Sequence, residues 1–228
     1  MRELPILFST PMVQAILENR KTMTRRTAGL YIVNECPVDY YLQTLVLHAT
    51  GLYTFAPADP INNVDLSDQI IECKPRYHVG DHIWVKETFF NAQPFKSSPM
   101  FSDGQDYVYK ADKDAFIGEH KWKPSLFMPK VAARLWLEVT NVRCERLVDI
   151  SEQDAIAEGI KFNSLFDQYE CPVCREGFHS GINLLCEDGF FPHATDAFAA
   201  LWHKINGFDS WIKDPWVFIY EFKRIEKP

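Results

Sequence analysis

Apolar and polar positions along the chain follow two periods, and the switches between them mark out the elements. After Ser9-Thr10-Pro11, where a hydroxyl residue precedes a proline suited to a first helical turn, Met12, Val13, Ile16 and Leu17 fall on one stripe. This predicts a helix over 11–18 that stops at Asn19. Ser151 opens a second short helix over 151–158, with Glu152 and Asp154 at its positive end and Gly159 as its stop. A third begins at Thr195, where Phe198, Leu201, Trp202 and Ile205 recur at helical spacing until Gly207, giving a helix over 195–206 whose stripe is core. Elsewhere the period is two. Gly80-Asp81 turns into a strand from His82 to Phe90 in which Ile83 and Val85 share a face with Glu87. Tyr107 to Tyr109 and Arg134 to Asn141 are further strands, and Tyr40 to His48 suggests another, followed by a loop at Pro57, Pro60, Asn62 and Asn63. From Trp216 to Ile225 the first half is apolar on both faces, as in a central, buried strand.

These elements predict one α+β domain over residues 1–228: a small, strongly curved β-sheet or barrel flanked by three helices, with insertions at about 28–79 and 161–193. A chain of 228 residues, 46% hydrophobic and 24% charged, can bury one sizeable core. It has no apolar run of the roughly eighteen residues that a membrane span needs, and Met1-Arg2-Glu3-Leu4-Pro5 carries no signal-peptide core. A cytoplasmic protein without a membrane partner is therefore expected. The pattern says nothing about oligomeric state.

Charge changes this picture at one place. In a chain of net charge −7, the eight residues Asn19-Arg20-Lys21-Thr22-Met23-Thr24-Arg25-Arg26 hold four cations and two hydroxyls. A lysine crowded by cations or taken out of water loses its proton more readily, and such a lysine can activate a nearby threonine as a nucleophile. The same cluster also fits a helix exit whose cations answer the last carbonyls and lie in solvent.

Residues 12–26 resemble the opening of the ASCH domain, a PUA-like fold with the signature Gly-x-Lys-x-x-Glu-x-Arg. Asn19 stands in place of the glycine, Lys21 and Arg26 match, and Thr24 replaces the glutamate. Lys-x-x-Thr-x-Arg is similar to the subgroup that contains the small bacterial N(4)-acetylcytidine amidohydrolases. The resemblance extends to Gly80–Thr88, Asp149–Gly159 and Trp216–Ile225, and in that fuller form is nearest to ASCH proteins of phages, prophages and gut bacteria. It implies a catalytic set of Lys21, Thr24 and a later glutamate, matched by Glu158. An acid in the last turn of a helix faces the negative end of the helix dipole, at a cost of about 0.3–1 kcal/mol when exposed, which agrees with an assigned task for Glu158.

The resulting expectation is an amide hydrolase acting on an N-acylated pyrimidine nucleoside, with no cofactor in the chemistry. Arg20, Arg25 and Arg26 would lower the Lys21 pKa and hold substrate, and Glu158 would orient Lys21 or relay a proton. Glu87, a carboxylate on an apolar strand face, needs a partner or solvent, with Lys21 or Arg26 as candidate partners. The alternative is a non-catalytic PUA-like module for a short RNA or a modified nucleotide, using Lys21, Arg25 and Arg26 on phosphates and Trp84 or Tyr109 for stacking. An excess of acids over bases, 31 against 24, weighs against long nucleic acids.

A second constellation lies in the later insertion. Cys171-Pro172-Val173-Cys174 followed by Cys186 and by His193 or His179 could complete a tetrahedral zinc site that staples a segment without periodicity of its own. Thiols packed as small hydrophobes are the other reading. If zinc is bound, elemental analysis gives about one zinc per chain, and a chelator destabilises this segment first while the proposed chemistry survives. Metal-free protein with unchanged stability contradicts the zinc expectation.

Overall fold

The computed structural model describes residues 1–43, 51–57, 70–95, 106–115, 117–172 and 189–228. In chain order its elements are β1 (Glu3–Leu7), α1 (Thr10–Leu17), β2 (Met23–Arg26), β3 (Tyr40–Gln43), β4 (Tyr53–Pro57), β5 (Ile71–Cys73), β6 (His82–Lys86), β7 (Phe89–Asn91), β8 (Tyr107–Tyr109), β9 (Trp136–Arg146), α2 (Glu152–Ala157), β10 (Phe162–Asn163), β11 (Gln168–Glu170), β12 (Phe190–Phe191), α3 (Ala194–Asn206) and β13 (Trp216–Ile225). The chain divides into two units: Met1–Lys21, Val79–Thr140 and Phe222–Pro228 form the first, Thr22–His78 and Asn141–Glu221 the second. Neither is continuous in sequence, and β9 and β13 each contribute residues to both units.

In the first unit β1 runs parallel to β6, from Glu3 beside His82 to Leu7 beside Lys86, and β6 pairs antiparallel with the start of β9. The buried carboxylate of Asp81 anchors this arrangement by accepting from the Arg2 guanidinium and from the Arg2 backbone N–H. Alternation holds along β6, where Ile83 and Val85 are fully buried and His82, Trp84 and Lys86 are half-buried. The predicted strand from His82 to Phe90 is two strands, because β7 leaves β6 to pair with β8. Phe89, Met128, Ala132, Ala133 and Trp136 form one small core, and Phe90, Ala92 and Ile117 another.

The second unit is organised around β13. Its register with β2 places Met23 opposite Glu221, Thr24 opposite Tyr220, Arg25 opposite Ile219 and Arg26 opposite Phe218. Val217 and Ile219 turn to one face, where they pack with Met23, Leu147, Ala155, Phe198 and Trp202 in the core beneath α2 and α3. The opposite face is a row of aromatics, and each meets a ring from the segment 28–79. Phe55 packs edge-on against Trp216 at 5.1 Å, Tyr53 against Phe218 at 5.1 Å and Tyr77 against Tyr220 at 5.0 Å. This double cover is why β13 reads as apolar on both sides. Asn34 extends the docking by exchanging two hydrogen bonds with the Trp216 backbone, at 2.7 and 2.9 Å.

The segment 28–79 is itself an antiparallel sheet of β3, β4 and β5. Its predicted strand from Tyr40 is seen over Tyr40–Gln43; the rest of that prediction, and Pro60, Asn62 and Asn63, lie outside the described residues. Part of the later segment, expected to lack periodicity, is the small sheet β10-β11-β12.

The three helices fall where the pattern puts them, although their caps differ. Ser151 Oγ accepts from the Asp154 N–H at 3.1 Å, as expected of an N-cap. Ser9 makes no such side-chain bond, and α3 starts at Ala194, behind His193 rather than at a capping hydroxyl. Its end is capped from outside: Glu152 accepts from the Ala194 N–H at 2.8 Å and from the Thr195 hydroxyl at 2.8 Å. These bonds outweigh the partial burial that pushes the Glu152 carboxyl up, and hold it below its ordinary value.

The fold is thus a mixed α+β arrangement with a multi-stranded sheet and few helices, and the sheet does not close into a barrel. Among the described residues, β1 and β2 each have one strand neighbour. Pro5, in the middle of β1, lacks the N–H that a further strand would need, so that edge suits termination rather than closure. Among the described residues, no helix is long and apolar enough to cross a membrane.

Candidate functional site

The turn after α1 sets up the motif. Asn19 takes a left-handed backbone with φ of 58°, a conformation that glycine adopts freely and asparagine tolerates, which explains why it can hold the glycine position of the resembling signature. Arg20 and Lys21 then both donate their backbone N–H to Ala15 O, at 2.8 and 3.1 Å. Lys21 belongs to the first unit, where its side chain is buried with Nζ 5.6 Å from the centre of the Phe8 ring. Arg20 turns outward and pairs with Glu18 at 2.6 Å.

Thr24, Arg25, Arg26 and Glu158 belong to the second unit. The end of α2 is fixed against β2 by the Thr22 N–H, which donates to Ala157 O at 2.9 Å. Gly159, with φ of 101°, stops the helix immediately after Glu158. Glu158 is therefore a buried carboxylate at a helix end with a neighbour to answer it: Arg25 Nη1 donates to Oε1 at 3.4 Å, while Nη2 donates to Asp154 at 2.6 Å. Asp154 also accepts from Arg143, whose guanidinium continues to Glu145 and Glu221. Arg25 lies on the face of β2 that meets α3, 5.8 Å from the Phe198 ring.

Thr24 and Arg26 point to the other face, with Tyr220, Phe218 and the docked Tyr77. Thr24, Tyr77 and Tyr220 are buried and Arg26 is half-buried. Burial draws the Arg26 guanidinium below its ordinary pKa, and Glu158, Tyr77 and Tyr220 oppose that shift. Arg26 thus lies within electrostatic reach of one carboxylate and two phenols in the second unit, and the buried Thr24 shares its strand face. Gly29 lets the chain come this close, since a Cβ there would stand 2.8 Å from Lys74 O, just before Arg76 and Tyr77. Tyr77 and Arg76 were not legible as site residues. The unexplained row of aromatics on β13 was the available signal that something covers it.

The remaining candidates are placed as follows. Glu87 is buried in the first unit and its partner is Arg134, not Lys21 or Arg26: Nε and Nη2 reach the two carboxylate oxygens at 2.9 and 3.0 Å, and Nη1 reaches Asp112 at 2.7 Å. The Arg134 guanidinium also covers the Tyr109 ring at 4.0 Å. Trp84 is half-buried beneath Lys86, whose Nζ lies 5.6 Å from the ring centre. Cys171 is buried in the core of the second unit, and the His193 side chain is exposed, 3.9 Å from Glu152. Cys174, His179 and Cys186 lie outside the described residues. Among the described residues, no three His, Cys, Asp or Glu side chains are grouped to hold a metal ion.

No family model, no curated protein and no solved structure matches this chain.

Burial pushes the Glu87 carboxyl up despite the bonds from Arg134. Replacing Arg134 with alanine leaves this carboxylate buried without its cation, and is expected to cost about 3 kcal/mol. The loss shrinks as pH falls, because the folded carboxyl then binds a proton more tightly than the unfolded one. The double variant Arg134→Ala/Glu87→Gln recovers much of the stability at neutral pH. Urea unfolding across pH checks this; a small, pH-independent loss in the single variant contradicts it.

Proposed function

We propose that the chain is an ASCH-like amide hydrolase acting on N-acylated pyrimidine nucleosides of the acetylcytidine type. The observation that carries this reading is the buried Thr24 sharing a strand face with Arg26, opposite Tyr220 and in the same unit as the Arg25-held carboxylate of Glu158. The sequence motif supplies Lys21, three positions before Thr24, as the base.

Lys21 takes the proton of the Thr24 hydroxyl as Oγ forms a bond to the acyl carbon and the carbonyl electron pair moves onto oxygen. Collapse of that intermediate breaks the C–N bond, and the amine leaves with a proton relayed through Glu158 from the protonated lysine. Water then cleaves the threonine ester, which releases the acid and restores the hydroxyl. Arg26 contributes a fixed positive charge on the side where oxygen becomes negative.

The binding-only reading is less well supported. The Arg25 side chain is 1% exposed and engaged by Asp154 and Glu158, so it is not available to a phosphate backbone. Tyr109 already carries Arg134 on its ring.

The test compares acetylcytidine turnover with RNA binding at two salt concentrations. Turnover in the parent is expected to fall by at least about 10²-fold in each of Lys21→Met, Thr24→Val and Glu158→Gln, with melting temperatures near the parent's for the first two and lowered for Glu158→Gln, which weakens the buried pairing with Arg25. The triple variant should be little worse than the worst single one. A parent that binds RNA with a steep salt dependence and turns over no acylated nucleoside overturns the proposal.

A further inference from the structure

Among the described residues, the buried Tyr220 hydroxyl has a donor to offer and no acceptor for it. The residue is 1% exposed. The hydroxyl oxygen accepts from the Arg76 N–H at 3.0 Å, and among the described residues its own O–H has no acceptor. The ring is held on both sides, edge-on to Tyr77 at 5.0 Å and tilted against Phe218 at 6.3 Å. A buried phenol whose oxygen is already occupied as an acceptor presents its proton elsewhere, and leaving that proton unmatched costs about 1–3 kcal/mol. Burial also pushes its pKa well up, although the Arg76 and Tyr77 N–H groups pull the other way. The phenol therefore stays protonated throughout the working range of pH.

The position of this donor gives it a task. Tyr220 is the direct cross-strand partner of Thr24, so its side chain leaves the sheet on the same face and next to the threonine. Arg26, two residues along β2, emerges on that face too. From these juxtapositions we infer that Tyr220 is a catalytic hydrogen-bond donor to the acyl oxygen of the substrate, acting with Arg26 as a pre-built site for the developing oxyanion. The inference rests on the amide-hydrolase reading and goes beyond it, because it assigns the oxyanion site to a residue outside the Lys-x-x-Thr-x-Arg motif. It also gives the segment 28–79 a part in the chemistry: the Arg76 backbone fixes the phenol, and Tyr77 fixes its ring. Tyr220 keeps its proton throughout. It shares the proton with oxygen as the carbonyl pair moves there and reclaims it fully when the C–N bond breaks.

Donors of this kind act on the chemical step, since they bind charge that exists only in the transition state. With acetylcytidine as the probe, Tyr220→Phe should lower kcat by about 10²–10³-fold and leave KM within about threefold, in a folded protein whose melting temperature drops modestly because the Arg76 N–H loses its acceptor. A fluorinated tyrosine at position 220, which keeps the packing and the O–H, should restore turnover. A parent that hydrolyses acetylcytidine together with a Phe variant of unchanged kcat overturns the inference alone, and so does a change confined to KM. A parent with no turnover overturns the function and the inference with it. Should the Phe variant fail to fold, the fluorinated protein carries the test: kcat that shifts with the acidity of the phenol supports the role, and kcat indifferent to it refutes the role.

Discussion

One buried guanidinium organises the second unit. Arg25 sits on β2 with its side chain 1% exposed, and its two terminal nitrogens reach Asp154 in α2 and Glu158 at the end of that helix. Neither side could be buried alone: an arginine in the core without acids, or two carboxylates without a cation, would cost several kcal/mol. The pairing therefore fixes both the position of α2 and the direction in which β2 presents its neighbours. Because side chains alternate along a strand, Arg25 facing α2 and α3 sends Thr24 and Arg26 to the other face. The chemistry proposed for Thr24 depends on this ion pair, because it also holds Glu158 within electrostatic reach of Arg26.

The second constraint is the aromatic ladder on β13. Trp216, Phe218 and Tyr220 stand at every other position, and Phe55, Tyr53 and Tyr77 meet them in turn. Edge-on pairs of this kind contribute about 0.5–1.5 kcal/mol each beyond the area they bury, so the three act as a zipper for the segment 28–79. The same zipper delivers the Arg76 N–H to the Tyr220 hydroxyl. A segment that looks like an insertion by its lack of pattern thus covers the face of β13 that carries Tyr220, the cross-strand neighbour of Thr24.

The parts of this structure that were legible in the sequence are those governed by local physics. Helix stripes, the Ser151 cap and the Gly159 and Gly207 stops predict α1, α2 and α3, because each signal acts within a turn of the residue that carries it. Glu158 opposes the dipole of its helix, and its place beside Arg25 supplies the reason. What was illegible depends on partners far away in sequence. Glu87 reads as an acid in need of a cation, but nothing in a strand pattern points to Arg134. The cap of α3 comes from Glu152, and the α3 start at Ala194 carries no sign of it. The open sheet, too, follows from strand neighbours that periodicity leaves unspecified.

The central claim is that Thr24 is the nucleophile of the second unit. Rapid acid quenching of the protein during turnover of acetylcytidine, followed by peptide mass spectrometry, tests it most directly. The account predicts an acetyl group on the peptide that carries Thr24, formed within the first turnover and absent from Thr24→Val. Turnover without any acetylated peptide, or with the acetyl group on another residue, would contradict it.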